Sequence, residues 1–162
     1  MSLYYHGTNL DGALGIAKYG AILSRWDQEI LRLQFAAAEG QDLHLTEGET
    51  VEALALRLAS SPFHVHEIEH RVKCVSISKS IRVPIMTAAV EEKRGLGGVV
   101  LGFEFSEVPK GYETSSTIYV PRKVSIDGLK ELHITRDLSP GARKNLEQAF
   151  VKYSHKYIFT LF

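Results

Sequence analysis

The sequence predicts an α+β domain. Helical periodicity dominates the first sixty residues, strand-like alternation dominates Val72 to Ile134, and no regular strand–helix alternation runs through the chain. Helices gathered early and strands gathered late indicate segregated elements rather than a doubly wound parallel sheet. A chain of 162 residues buries roughly 70% of the surface its unfolded form exposes, so one domain over residues 1–162 needs no disulfide or metal to hold it together.

Leu3 to His6 is a short aromatic strand. Asn9 or Asp11 caps the helix that follows, whose Leu10, Ala13, Leu14, Ile16 and Ala17 keep the 3.6-residue period until Gly20. Ile30, Leu33 and Ala37 predict a second helix after Asp27, and Val51, Leu54, Ala55 and Leu58 a third after Thr50, with a polar loop from Gly40 to Gly48 between them. Ser61-Pro62 has the form of an N-cap with proline at the first helical position, which predicts a short helix through Phe63 and His66 towards His70. The period then changes to two, with Val72, Cys74, Ser76 and Ser78 alternating with Lys73, Val75, Ile77 and Lys79. Pro84 to Glu92 predicts a helix ending before Gly95, Gly97 and Gly98. Val99 to Phe105 follows as a strand with Val99, Leu101, Phe103 and Phe105 on one face. Further strands are expected at Thr114–Val120, Val124–Ile126 and Leu132–Ile134, and Ser139-Pro140 opens a last helix containing Leu146, Phe150 and Tyr153.

Nineteen basic and nineteen acidic residues cancel, which argues against strong nonspecific attraction to nucleic acid or an anionic membrane. The balance is uneven: residues 1–60 carry four basic and eight acidic groups, and residues 121–162 the reverse. Cys74 is the one cysteine, so neither an intrachain disulfide nor a thiolate cluster is available. No apolar run approaches the length of a membrane span, and no basic region with an apolar core opens the chain. A cytoplasmic setting without membrane partners is the expectation.

The most informative segment is Tyr4-Tyr5-His6-Gly7-Thr8. A histidine, a glycine and a hydroxyl at the end of a strand and just before a helix are arranged to hold a polar ligand with side chains and backbone together. The tripeptide resembles the His-Gly-Thr element of the ADP-ribosyltransferase fold, related to the poly(ADP-ribose) polymerase and RNA 2′-phosphotransferase families. That resemblance implies a split antiparallel β core with flanking helices and NAD as the substrate. His6 would lie on the adenosine ribose and the Gly7 backbone on the nicotinamide amide, with Thr8 beside them. Val75-Ser76-Ile77-Ser78-Lys79-Ser80 is similar to the family's second core strand, so Ser76, Ser78 and Ser80 would line the nicotinamide pocket. Gly98 to Phe105 is similar to a central strand, and Thr117-Ile118-Tyr119-Val120-Pro121 to the strand that carries the catalytic glutamate.

The implied chemistry is ADP-ribosyl transfer or NAD glycohydrolysis, with the acceptor open between protein, nucleic acid, a small molecule and water. Cleaving the bond between nicotinamide and ribose develops oxocarbenium character, which a nearby carboxylate stabilises. The chain departs from the family pattern at two points. No tyrosine occurs between Ser80 and Glu92, where Met86 is the nearest bulky residue, and Thr117 stands at the glutamate position. Glu113, four residues earlier, is the expected acid alongside His6, with Glu104 a poorer substitute.

Three other readings compete. His66-Glu67-Ile68-Glu69-His70 matches the HExxH pattern, two imidazoles one helical turn apart with a glutamate to activate zinc-bound water, and His133 and several glutamates are available as a third ligand. The same broad fold includes RNA 2′-phosphotransferases, which use NAD without a catalytic glutamate; His64-Val65-His66 is similar to their paired histidines, and Arg25, Arg82 and Arg122 are available cations. A noncatalytic NAD or ADP-ribose binding module fits the missing tyrosine and the displaced glutamate. The expectation for metal is none.

Overall fold

The computed structural model describes residues 2–60, 72–153 and 155–160. The predicted helix from Ser61-Pro62 and the histidine pair His66 and His70 lie outside them.

Nine strands and five helices are seen among the described residues, in an α+β arrangement: β1 (Leu3–Asn9), α1 (Leu10–Tyr19), β2 (Ala21–Leu23), α2 (Arg25–Ala38), α3 (Val51–Ser60), β3 (Cys74–Ser78), α4 (Arg82–Lys93), β4 (Gly98–Glu104), β5 (Tyr112–Glu113), β6 (Thr117–Pro121), β7 (Lys123–Ser125), β8 (Leu129–Ile134), α5 (Pro140–Ala149) and β9 (Lys156–Phe159). Seven strands form one sheet in the order β5-β6-β3-β1-β4-β8-β9, and β2 and β7 form a two-stranded ribbon. All pairings in the large sheet are antiparallel except β8 with β9.

The sheet is unevenly sewn at its middle. β1 pairs with β4 along its whole length, from Leu3↔Glu104 to Asn9↔Gly98, and β3 pairs with β6 from Cys74↔Pro121 to Ser78↔Thr117. Between β1 and β3 the only registered pair is Tyr5↔Ser78. The two halves of the sheet therefore part just past that position.

Alternation decides which face of the sheet is packed. Tyr4, Val75, Ile77, Val99, Leu101, Phe103, Ile118, Val120, Leu132 and Ile134 point to one side, where they close the main core with Ala13, Ile16 and Ala17 of α1, Ile22 of β2, and Leu146 and Phe150 at the end of α5. The opposite face is covered by α4, which lies so close that a Cβ on Gly7 would stand 2.4 Å from the Pro84 carbonyl oxygen and one on Gly98 2.2 Å from that of Ala88. Glycine is required at both positions because the helix backbone occupies the space a side chain would take. A second, smaller cluster of Ile30, Leu33, Leu54 and Ala55 joins α2 to α3.

Several elements differ from their sequence-based expectation. The second helix begins two residues before Asp27, because Ser24 is its N-cap, the hydroxyl accepting the Asp27 N–H at 3.1 Å, and Arg25 is the first helical residue. The fourth helix likewise starts at Arg82, with Pro84 tolerated in its first turn. The expected strand Thr114–Val120 is broken, since the Thr114 hydroxyl accepts the Thr117 N–H at 3.2 Å and makes a turn between β5 and β6. Residues 98–103 of β4 are buried on both faces rather than on one. Asn9, not Asp11, caps α1, its Oδ1 accepting the Gly12 N–H at 2.8 Å, and Gly20 ends that helix with φ of 70°. The short strands β2, β5 and β9 had no counterpart in the expected elements.

Candidate functional site

His6 stands at the seam where the sheet parts. In the antiparallel register set by Tyr5 and Ser78, Gly7 would face Ser76, but the ladder does not continue to that pair. The Ser76 carbonyl oxygen instead lies 3.0 Å from His6 Nδ1. A carbonyl only accepts, so Nδ1 carries the proton and the neutral ring presents Nε2 as an acceptor. Burial pushes the His6 pKa below its ordinary value, and the bond to Ser76 only partly opposes this. At neutral pH the imidazole is therefore uncharged, with its tautomer fixed by a backbone atom and Nε2 without a partner among the described residues.

Two cavities meet at this ring. The larger, about 670 Å³, is a groove between β1, α1, β2 and α2, within the range of roughly 300–1,000 Å³ usual for small-molecule sites. His6, Thr8 and Asn9 form its inner end, Gly12, Gly15 and Ile16 its α1 wall, and Gln28, Leu31, Arg32 and Phe35 its α2 wall. Lys18 and Arg32 are the groove's cations, Arg32 paired with Glu29 at 2.8 Å, Asp11 is its carboxylate, and Tyr19 and Phe35 are 55% and 69% exposed. The wall on α2 is held in place by Asp27, whose carboxylate accepts from Arg122 Nε at 2.8 and 2.9 Å, while the Arg122 guanidinium stacks 4.7 Å from the Trp26 ring. The Thr8 hydroxyl lies over the α1 wall, 2.1 Å from where a Gly12 Cβ would be. A Cβ on Gly15, by contrast, would meet nothing within 4 Å.

The smaller cavity, about 100 Å³, lies on the other side of the seam and is lined by Tyr5, His6, Gly7, Ser76, Ile77, Ser78, Thr117 and the start of α4. With liquid water taking roughly 30 Å³ per molecule, this is room for a small ring and little more. Ser76 turns its side chain to solvent. Ser78 is buried, its hydroxyl donating to the Ser116 carbonyl at 3.1 Å and accepting the Ser80 N–H at 3.2 Å. Ser80 in turn accepts the Arg82 N–H at 3.3 Å and helps open α4. These two hydroxyls build the corner between β3 and α4.

The structure thus gathers His6, Gly7, Ser76 and Ser78 around the small cavity and His6 and Thr8 along the groove. Ser80 and Glu113 line neither. Glu113 is exposed on β5 and forms an ion pair with Lys79, whose pKa that contact raises. The turn after Glu113 leads directly to Thr117 on the cavity wall. Glu104, Arg25, Arg82 and Arg122 border neither cavity, and Met86 is 68% exposed on the outer side of α4. His133 is buried and occupied, with Nε2 2.8 Å from Glu131 and Nδ1 3.0 Å from the Thr160 hydroxyl. Among the described residues no group of three or more His, Cys, Asp or Glu is arranged to hold a metal ion. No helix among them is long and apolar enough to cross a membrane.

The groove residues Lys18, Gln28, Arg32 and Phe35 were missed by sequence reasoning. One signal was present: Gly12 and Gly15, three apart inside a helix, each weaken that helix by about 1 kcal/mol relative to alanine, and both face the groove.

No family model matches the chain, and no curated protein matches it. Among solved structures it is similar to a chain of Thermosipho africanus DarTG in complex with ADP-ribose, with a TM-score of 0.47 and 11% identity over 98% of this chain and 50% of that one. The chain thus spans half the length of that protein.

Proposed function

We propose that the chain binds NAD across the seam between β1 and β3 and cleaves its nicotinamide–ribose bond, passing ADP-ribose to an acceptor or to water. The observation that carries this reading is the His6 imidazole, fixed by the Ser76 carbonyl, uncharged, and shared by a long groove and a ring-sized cavity. A free Nε2 lone pair accepts from a ribose hydroxyl. The groove provides what an adenosine diphosphate requires: Lys18 and Arg32 for the diphosphate, exposed rings at Tyr19 and Phe35 for the base, and a glycine-faced helix that leaves room for it. The small cavity takes the nicotinamide, between the Gly7 backbone, Ser76, Ser78 and Thr117.

In the reaction the bond between C1′ of the ribose and the nicotinamide nitrogen breaks, and its electron pair leaves with the neutral ring. A lone pair of the acceptor forms the new bond at C1′, and the acceptor's proton passes to a carboxylate. Glu113 is the group assigned to that role. Glu113 stands opposite Ile118 in the edge hairpin, four residues before Thr117 of the cavity wall, so the role requires that hairpin to bring it to the ribose, and release from Lys79 would free its oxygens. Negative charge there favours the cationic transition state over neutral bound NAD.

One observation favours a second reading, a noncatalytic NAD or ADP-ribose binding module: Glu113 is paired with Lys79 and Thr117 occupies the wall where a carboxylate would act. Calorimetric titration with NAD, followed by a nicotinamide-release assay with and without added acceptors, tests both. Binding with release supports transfer or hydrolysis, binding without release supports the module, and absence of binding removes both.

A further inference from the structure

The outer face of α4 carries large apolar side chains that remain about half exposed or more. Val83, Met86 and Val90 are 52%, 68% and 49% exposed, and at spacings of three and four they form a single stripe along the helix. Leu96, past the helix end, is 46% exposed as well. The inward side is already complete: Pro84 and Ala88 are buried against β1 and β4.

Charge on this helix is divided the same way. Both of its carboxylates are turned toward the body of the domain and used there. Glu91 accepts from the Asn9 amide at 3.0 Å, and Glu92 accepts the Gly98 N–H at 2.8 Å. The exposed half is left with Arg82 at one end of the stripe and Lys93 and Arg94 at the other, Arg94 also reaching Glu91 at 3.3 Å. An apolar stripe with cations at both ends and no carboxylate on its solvent side is complementary to a segment of opposite design.

We propose that this face docks an amphipathic helical segment of another protein, with apolar residues along one side and acidic residues beside them. Burial of the stripe supplies affinity, and the flanking cations set orientation and exclude basic partners. A second copy of this chain is the poorer occupant. Two such helices packed antiparallel about a two-fold axis would bring Arg82 of one against Lys93 and Arg94 of the other, and packed parallel each cation against its own copy, like charge against like in both cases. Val83 and Thr87 also line the small cavity, so the occupant would lie directly beside it.

The probe is a fluorescein-labelled helical peptide with leucines at i, i+3, i+4 and i+7 and glutamates flanking them, compared with the same peptide carrying lysine for glutamate. Saturable binding of the acidic peptide is expected by fluorescence anisotropy. It should weaken about tenfold or more in V83S/M86S/V90S and by a similar factor in R82E/K93E, which leaves the Arg94–Glu91 pair in place, with the lysine peptide bound at least as much more weakly. Both variants change exposed side chains only, and circular dichroism melts should match the parent. No saturable binding, or binding equal in the triple serine variant, would overturn the proposal. So would a concentration-dependent dimer by sedimentation that the serine variant abolishes, which would make the occupant a second copy. Binding of a short oligonucleotide lost only in the charge-reversed variant would assign the face to nucleic acid and overturn it equally.

Discussion

His6 takes the backbone carbonyl of Ser76 that stands opposite Gly7, with Nδ1 3.0 Å from the oxygen. The imidazole thereby substitutes for one rung of the β-ladder and keeps the two half-sheets apart while satisfying a polar atom that would otherwise be left unpaired. Because that contact fixes the proton on Nδ1, the ring can act toward a ligand only as an acceptor through Nε2 while it stays neutral.

A pH dependence follows. The folded-state pKa of His6 lies below its ordinary value of 6.5, so below about pH 6.5 the unfolded chain binds the proton more readily and stability falls as pH falls toward the lowered folded value. Above that range the contribution is fully present. Thermal midpoints measured from pH 7.5 to 5 should decline for the parent, and the decline should flatten in His6→Gln. NAD affinity should fall in the same window, since a protonated ring has no acceptor left. At pH 7.5, His6→Ala should weaken binding by about 1–3 kcal/mol, the usual cost of removing one partner of a buried hydrogen bond. Undiminished affinity in that variant would remove His6 from the site.

Gly7→Ala addresses packing rather than ligand. A methyl group at 2.4 Å from the Pro84 carbonyl oxygen forces α4 away from β1, and overpacking of this kind costs about 1–3 kcal/mol. The denaturant midpoint should drop accordingly, and the small cavity, whose wall includes Pro84, should change shape with it. An unchanged midpoint would show that the helix does not sit this close.

Much of this frame was legible in the sequence because the signals were local. Asn9 and Gly20 bracket α1, the apolar, β-branched and aromatic run from Val99 to Phe103 marks β4, and Ser139-Pro140 opens α5. The element at Thr114 to Val120 was not, since threonine and serine fit strands by propensity, and only the bond from Thr117 back to the Thr114 hydroxyl turns them into a corner. Strands β2 and β9 are short and depend on partners far along the chain, β7 and β8 respectively. His6, Gly7 and Thr8 could be found from three adjacent residues. The groove could not, because β1, α1, β2 and α2 each contribute a wall and nothing in the local pattern of α2 marks Arg32 or Phe35 as facing it.

The histidines His66 and His70 bear on a different chemistry. A hydrolytic zinc site requires a third protein ligand, and His133 is committed to Glu131 and Thr160. Elemental analysis of protein purified without chelator should find far less than one zinc per chain. Near-stoichiometric zinc, lost in His66→Ala, would bring the metalloprotease reading forward.

The role proposed for Glu113 can be tested apart from binding. Glu113→Gln removes the charge and keeps the shape, so on the transferase reading nicotinamide release should fall on the order of a hundredfold, the scale of losing one electrostatic stabiliser of a transition state, while the calorimetric NAD affinity changes little. Lys79→Met removes the ion pair that holds the carboxylate and should leave release intact or raise it. Wild-type turnover in Glu113→Gln would exclude this carboxylate as the acid.

Gly15 allows the groove to be tested apart from the fold. Its backbone is helical, and a Cβ there would enter open space on the groove side of α1. Replacing a glycine inside a helix adds about 0.8–1 kcal/mol of stability when the new side chain meets no obstacle. Gly15→Ala should therefore melt higher than the parent with NAD affinity changed little, and Gly15→Phe should also fold but fill the space between α1 and the Arg32 and Phe35 wall. If the adenosine diphosphate half of NAD lies there, affinity should collapse in Gly15→Phe alone, while nicotinamide by itself, which needs only the small cavity beyond His6, should bind both variants equally. Retention of NAD affinity in a stably folded Gly15→Phe would place the dinucleotide elsewhere on the molecule.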